Sequence, residues 1–132
     1  MNRRQAREMA MKALFQMSVG NTDQKTAIDV LNNADRAVDP FVTRLLNETT
    51  AHLKEIDRLI EKHLTHWSFE RIGNIDRTIL RLAVCELLYF DDVPNAVCMN
   101  EAVELCKRYG DEKTRRFVNG VLSGISGEME NK

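Results

Sequence analysis

The chain is short of the residues that staple, break or span. It has three cysteines, Cys85, Cys98 and Cys106, without CxxC spacing and each inside an apolar helical pattern. An odd set so placed argues against a disulfide framework or a zinc site and reads as reduced core thiols. Prolines (two) and glycines (six) are few in 132 residues. No segment alternates polar and apolar residues over a strand's length, which excludes a β-rich domain. No apolar run approaches the roughly 18 to 20 residues that cross a bilayer, so no membrane is expected as a partner. The first residues are charged, with no uninterrupted apolar stretch and no small-residue cleavage site. They do not form a signal peptide, and a cytoplasmic location is expected.

What is present is a soluble composition, 43% hydrophobic and 30% charged, long enough to close one core without staples. Ala6, Met9, Ala10, Ala13, Leu14 and Met17 share one face of a first helix. After Gly20-Asn21, Thr22 is expected to cap a short helix carrying Ala27, Ile28 and Leu31, which frays at Asn32 and Asn33. Asp39-Pro40 opens a long apolar series from Val42 to Leu64, one helix or two joined near Thr49-Thr50. A break falls at Trp67-Ser68, one turn is expected over residues 69–72, and Asn74 is the expected cap of the next helix. That helix carries Ile79, Leu80, Leu82, Ala83, Val84, Cys85, Leu87 and Leu88 round its whole circumference, so it must be central. Another amphipathic helix starts at Asn95 and ends at Gly110. Asp111 then caps a last one with Phe117, Val118, Val121, Leu122 and Ile125 on one face. The pattern predicts an all-α fold: a single compact domain of about seven helices over residues 1–126, followed by a short flexible tail at 127–132.

The net charge of -1 hides segregation. Residues 1–12 hold Arg3, Arg4, Arg7 and Lys12 against Glu8, net +3, and residues 107–116 hold five bases against two acids, again net +3. Arg3 and Arg7 lie one helical turn apart at the border of the apolar stripe, so both can project to one side. Lys113, Arg115 and Arg116 stand in the first turns of a helix, where the macrodipole disfavours cations. A phosphate-bearing ligand accounts for both islands, and single-stranded RNA with Phe117 or Tyr109 as stacking partners suits them better than duplex DNA. A solvated basic face is the competing account, and core packing fits Phe117 by period.

Four ordered blocks go further: RRQAREMAMKALFQ, WSFERIGNIDRTILRLAVCE, DDVPNAVCMNEAVELCKRYGDEK and RRFVNGVL. In order and spacing they resemble the signature blocks of the NusB family of bacterial transcription antitermination factors, and the resemblance covers nearly the whole chain. It implies an all-helical protein that binds the boxA element of nascent ribosomal RNA transcripts with the ribosomal protein NusE. The complex then loads onto elongating RNA polymerase with other Nus factors. By the same resemblance Arg3, Arg4, Arg7, Lys113, Arg116 and Phe117 are expected at the RNA, with Arg115 joining them as a member of the second basic island, Asp76 is expected at NusE, and self-association into a homodimer is expected of some members. Cys85, the Cys98-Met99 pair, Arg116 and Gln5 depart from residues common in the family; Cys85 and the Cys98-Met99 pair read as volume-tolerant core changes, Arg116 keeps the charge, and Gln5 implies a somewhat weaker RNA contact.

Two other readings compete. A related helical domain precedes the catalytic domain in some ribosomal RNA cytosine methyltransferases, and this chain ends where such a domain would begin. A helical dimerisation module without an RNA role is the other. Chemistry within the chain itself is not expected. No Glu has His three residues on, as a di-iron bundle needs. His63 and His66 lack a third ligand nearby, so no metal is assigned. There is no phosphate loop, no nucleophile elbow and no Ser or Cys paired with His, so no catalytic residue or cofactor is assigned. Glu104 with Arg108, and Glu101 locally, are expected as surface pairs. Glu86 in the central helix is expected in a structural hydrogen-bond network.

Overall fold

A computed structural model of the chain describes residues 1–32, 37–65 and 68–130. Asn33, His66, Trp67 and the last two residues lie outside them, and with them the fraying at Asn33, the break at Trp67 and the His63/His66 pairing. Among the described residues there are seven α-helices, one 3-10 turn and no strand. α1 (Arg3–Val19) starts at a reciprocal cap: the Asn2 side chain accepts the Gln5 N–H at 2.8 Å, and the Gln5 side chain accepts the Asn2 N–H at 2.9 Å. Asn21 takes φ 52°, turning the chain into α2 (Gln24–Leu31). Asp23 caps α2, not Thr22, because its carboxylate stands three residues before the Thr26 N–H it accepts at 2.8 Å. α3 (Pro40–Ala51) begins as expected, with Asp39 accepting the Phe41 N–H at 2.9 Å and Pro40 supplying the first helical φ.

The series is two helices, and the joint between α3 and α4 (Leu53–Lys62) is His52, two residues beyond the expected Thr49-Thr50 region. Both threonines bond back onto their own helix, Thr49 to the Leu45 carbonyl at 2.7 Å and Thr50 to that of Leu46 at 2.9 Å, and so stay helical. His52 leaves the helical region at φ -116°, ψ 22°, with its ring stacked 4.0 Å from that of Tyr89. After the 3-10 turn Phe69–Arg71 comes α5 (Asn74–Tyr89), which Gly73 precedes as cap residue. Asn74 is inside the first turn instead of capping it, and its carbonyl accepts the Thr78 hydroxyl at 2.7 Å. α6 (Asn95–Tyr109) and α7 (Glu112–Glu130) follow, and Asp111 caps α7 on the Thr114 N–H at 2.8 Å. A Cβ at Gly110 would come within 2.7 Å of the Thr114 side chain, so this sharp corner needs glycine.

α5 is the axis. It packs against α1, α3, α4, α6 and α7, while α1 also packs on α2 and α3, and α6 on α7. Ile79, Leu80, Leu82, Val84 and Cys85 are buried, and each large apolar side chain so placed contributes about 1.5–3 kcal/mol of transfer free energy. Cys98 and Cys106 are buried as well. The expected tail at 127–132 is corrected through residue 130, because α7 continues to Glu130. Glu128 anchors its end to α4, accepting from Lys62 Nζ at 2.5 Å and meeting His63 Nε2 at 2.6 Å. Among the described residues no helix is long and apolar enough to cross a membrane.

Candidate nucleic-acid interface

The first basic island divides. Arg3 and Arg4 are exposed at the start of α1, whereas Arg7 is buried. Arg3 lays its guanidinium 4.1 Å above the Phe41 ring, a cation–π seat that orients it without consuming its hydrogen-bond donors. Arg7 crosses the same ring at 5.2 Å and runs inward to Glu86, donating from Nη2 at 2.8 Å and from Nε at 3.0 Å. The expectation that Arg7 contacts RNA is therefore corrected. Being one turn from Arg3 put it on the right side of α1, but Glu86 holds its donors inside the protein. Burial pushes the Glu86 carboxyl up while Arg7 holds it down, and the pair is the structural network expected of Glu86.

Arg4 reaches across to α6, where Nε and Nη2 each lie 3.2 Å from one oxygen of Glu101. Glu8 draws in the end of the same helix, accepting from Arg108 and from the Tyr109 hydroxyl, with Lys12 at 3.4 Å. The Tyr109 hydroxyl, then Arg108 and Lys12, hold the Glu8 carboxyl below its usual range against the opposing effect of burial. Tyr109 is thus tied to Glu8. The expected Glu104–Arg108 pair is replaced: Arg108 goes to Glu8, and Glu104 takes Lys107 at 3.4 Å. Glu101 pairs with a residue 97 positions away, not locally.

Beyond the Gly110 corner lies the second island. Lys113 and Arg116 are exposed, and Arg115 is half-buried and turned back to Glu112. Among the described residues no carboxylate lies within ion-pair distance of Arg3, Lys113 or Arg116. Phe117 is half-buried, not fully in the core, and lines a cleft of about 260 Å³ with Asp76, Asp111, Lys113 and Arg71. Burial raises the Asp76 carboxyl, with Thr114 partly offsetting it and Asp111 adding to it. The fold therefore brings Asp76, expected at a protein partner, beside Lys113 and Phe117, expected at RNA. Missed from the sequence were the ties of Glu8 to Arg108 and Tyr109 and of Glu101 to Arg4, and the Phe41 seat. The signal for them lies in no local spacing, because their partners are far along the chain. No group of three or more His, Cys, Asp or Glu gathers as a metal site among the described residues.

Comparison with known proteins bears on this geometry. The NusB family model matches residues 4–126. The transcription antitermination protein NusB of Bacillus subtilis (strain 168) is 46% identical over 130 residues, covering 98% of each chain. That of Halalkalibacterium halodurans is 46% identical over 123 residues, 93% of this chain and 92% of its own. Among solved structures, T. maritima NusB superposes with a TM-score of 0.87 at 36% identity, over 97% of this chain and 92% of that one. A crystal structure described as antitermination factors NusB and NusE in complex with dsRNA matches at a TM-score of 0.85 and 32% identity, over 96% of each chain. With its helices in the same arrangement and its sequence matched almost end to end, the chain belongs to the NusB family of transcription antitermination proteins, which are binding factors and not enzymes.

Proposed function

We propose that this protein binds the boxA element of nascent ribosomal RNA transcripts together with NusE, and with other Nus factors loads onto elongating RNA polymerase in the cytoplasm. The observation that carries the reading is the set of exposed cations, Arg3 and Arg4 on α1 and Lys113 and Arg116 on α7. The similar structure described as NusB and NusE with dsRNA supports it. Residues 1–126 carry the function. Arg3 and Arg4 bind phosphates and base edges, and Lys113 and Arg116, with Arg115 beside them, continue the strand's path. Phe117 stacks on a base. Asp76 takes a basic side chain of NusE at the margin of the RNA path. Arg7 acts from within, holding α1 in place through Glu86. Self-association into a homodimer would cover part of this surface and compete with RNA.

Fluorescence anisotropy tests the reading, with labelled single-stranded boxA-type RNA and a scrambled control, with and without NusE, at two salt concentrations. A duplex of the same sequence is included because the similar complex holds dsRNA. The expected result is binding that prefers boxA, strengthens with NusE and falls sharply when Arg3 and Arg4 are changed to alanine. Each phosphate that is no longer neutralised should flatten the salt dependence by about 0.7 in log–log slope. Equal binding of boxA and scramble in the presence of NusE would sink the proposal in favour of a helical interaction module.

A further inference from the structure

Between α1 and α6 runs a cleft of about 210 Å³ whose charged lining is three bases, Arg4, Lys107 and Arg108, and three acids, Glu8, Glu101 and Glu104. Each base is matched to its own acid: Arg4 to Glu101, Lys107 to Glu104, Arg108 to Glu8. The Arg4–Glu101 contact is two-pronged, with one guanidinium nitrogen on each carboxylate oxygen at 3.2 Å. A guanidinium takes a phosphate in the same way. In the two contacts that span the helices, the acid is the sheltered member: the Glu101 side chain is 16% exposed and Arg4 60%, Glu8 19% and Arg108 61%. The carboxylates are seated in the cleft and the arginines lean onto them from solvent. Exposed ion pairs contribute little to folding, so stability is a weak reason for arranging a surface of this kind.

We propose that Glu101, Glu104 and Glu8 are built-in phosphate mimics that hold this cleft neutral and so set the selectivity of RNA binding. The inference rests on the proposed RNA function. A polyanion approaching the cleft meets no net positive charge and gains nothing from counterion release there. To use Arg4, Lys107 or Arg108 it must displace a tethered carboxylate. An RNA already held at Arg3, Lys113, Arg116 and Phe117 presents its phosphates at high effective concentration and can make that exchange. A random strand lacks the foothold and cannot. The acids thus weaken every RNA, but they weaken the wrong ones more.

The test compares wild type, Glu101→Gln, the Glu101→Gln/Glu104→Gln double variant and Asp29→Asn, each with NusE, on boxA-type and scrambled RNA at two salt concentrations. Glutamine keeps the shape of glutamate, and Glu104→Gln alone serves if the double variant does not fold. Asp29 is an exposed acid on α2 whose change alters net charge by one unit, as Glu101→Gln alone does, without touching the cleft. The double variant should bind the scramble about three- to ten-fold tighter and boxA less than about two-fold tighter, with a salt slope for the scramble steeper by about 0.7 per freed base. Asp29→Asn should leave both RNAs as in wild type. If the double variant matches Asp29→Asn, or weakens boxA binding, the proposal is overturned. A wild type that does not prefer boxA is a separate outcome and removes the RNA function. In that case the selectivity gate falls with it, whereas a wild type that prefers boxA while the cleft variants behave as Asp29→Asn overturns the gate alone.

Discussion

Arg7 and Glu86 form a two-pronged ion pair sealed between α1 and α5, with Nη2 2.8 Å from Oε1 and side chains only 6% and 4% exposed. One of the four bases that make the N-terminus cationic is therefore a tie across the core. A charged pair in this position is costly to create, because both ions lose their water, and costly to break, because the survivor is left buried and alone. Its gain is a fixed seat for α1, which keeps Arg3 over Phe41 and Arg4 against Glu101.

Breaking that pair from one side should be severe. Glu86→Ala is expected to lose about 3–5 kcal/mol by urea unfolding, since it strands a buried guanidinium. Replacing both members, as Arg7→Met with Glu86→Leu, should restore most of that loss or exceed wild type. A double variant as unstable as the single one would show that the pair matters for more than mutual neutralisation.

Three glycines of α7 should respond differently to alanine. At Gly120 and Gly127 an added methyl meets nothing within 4 Å, so each change should stabilise by about 0.5–1 kcal/mol through helix propensity. At Gly124 the same methyl would stand 2.8 Å from His63 Nδ1 and push the ring off Glu128. Thermal unfolding should therefore show raised midpoints for the first two and none for Gly124→Ala. No gain at Gly127 would argue against the helical end of α7.

Acid should loosen the α1–α6 joint. The Glu8 carboxyl is held below 4.5 by the Tyr109 hydroxyl, Arg108 and Lys12. A carboxyl depressed in the folded state contributes stability that is present above its unfolded pKa and lost as pH falls through its folded one. The contacts of Tyr109 and Arg108 should hold at neutral pH and fade only below pH 4.5, as followed by the Tyr109 ring signals in NMR. Glu8→Gln should flatten that transition.

The three thiols should be silent in the native protein. Burial pushes Cys85 up to about 11 and Cys98 and Cys106 up to about 12, so almost no thiolate exists near neutrality. A thiol-reactive chromogen should titrate none of them in the folded protein and all three in urea. Rapid reaction of any one without denaturant would show that the core opens there.

Much of the fold was legible in residue order. The Asp39-Pro40 and Asp111 caps, the encircling apolar pattern of α5 and the burial of the cysteines all follow from rules that act within a few residues. Where reading failed locally, an adjacent residue won as cap: Asp23 over Thr22 and Gly73 over Asn74. The site was legible as a list of cations but not as a surface. Arg7 differs from Arg3 only in meeting Glu86, 79 positions on, and Arg108 chose Glu8 over the Glu104 one turn away.

Sequence alone determined the helices, their order, the central place of α5 and the two basic islands, because helix periodicity, capping and composition are local properties. Tertiary structure decided which of those bases face outward, which are paired and with what. An i,i+4 pair on a helix contributes only a few tenths of a kcal/mol, so the choice of partner passes to whichever carboxylate packing brings near. That is a property of how α1, α5 and α6 meet, and no window of the chain contains it.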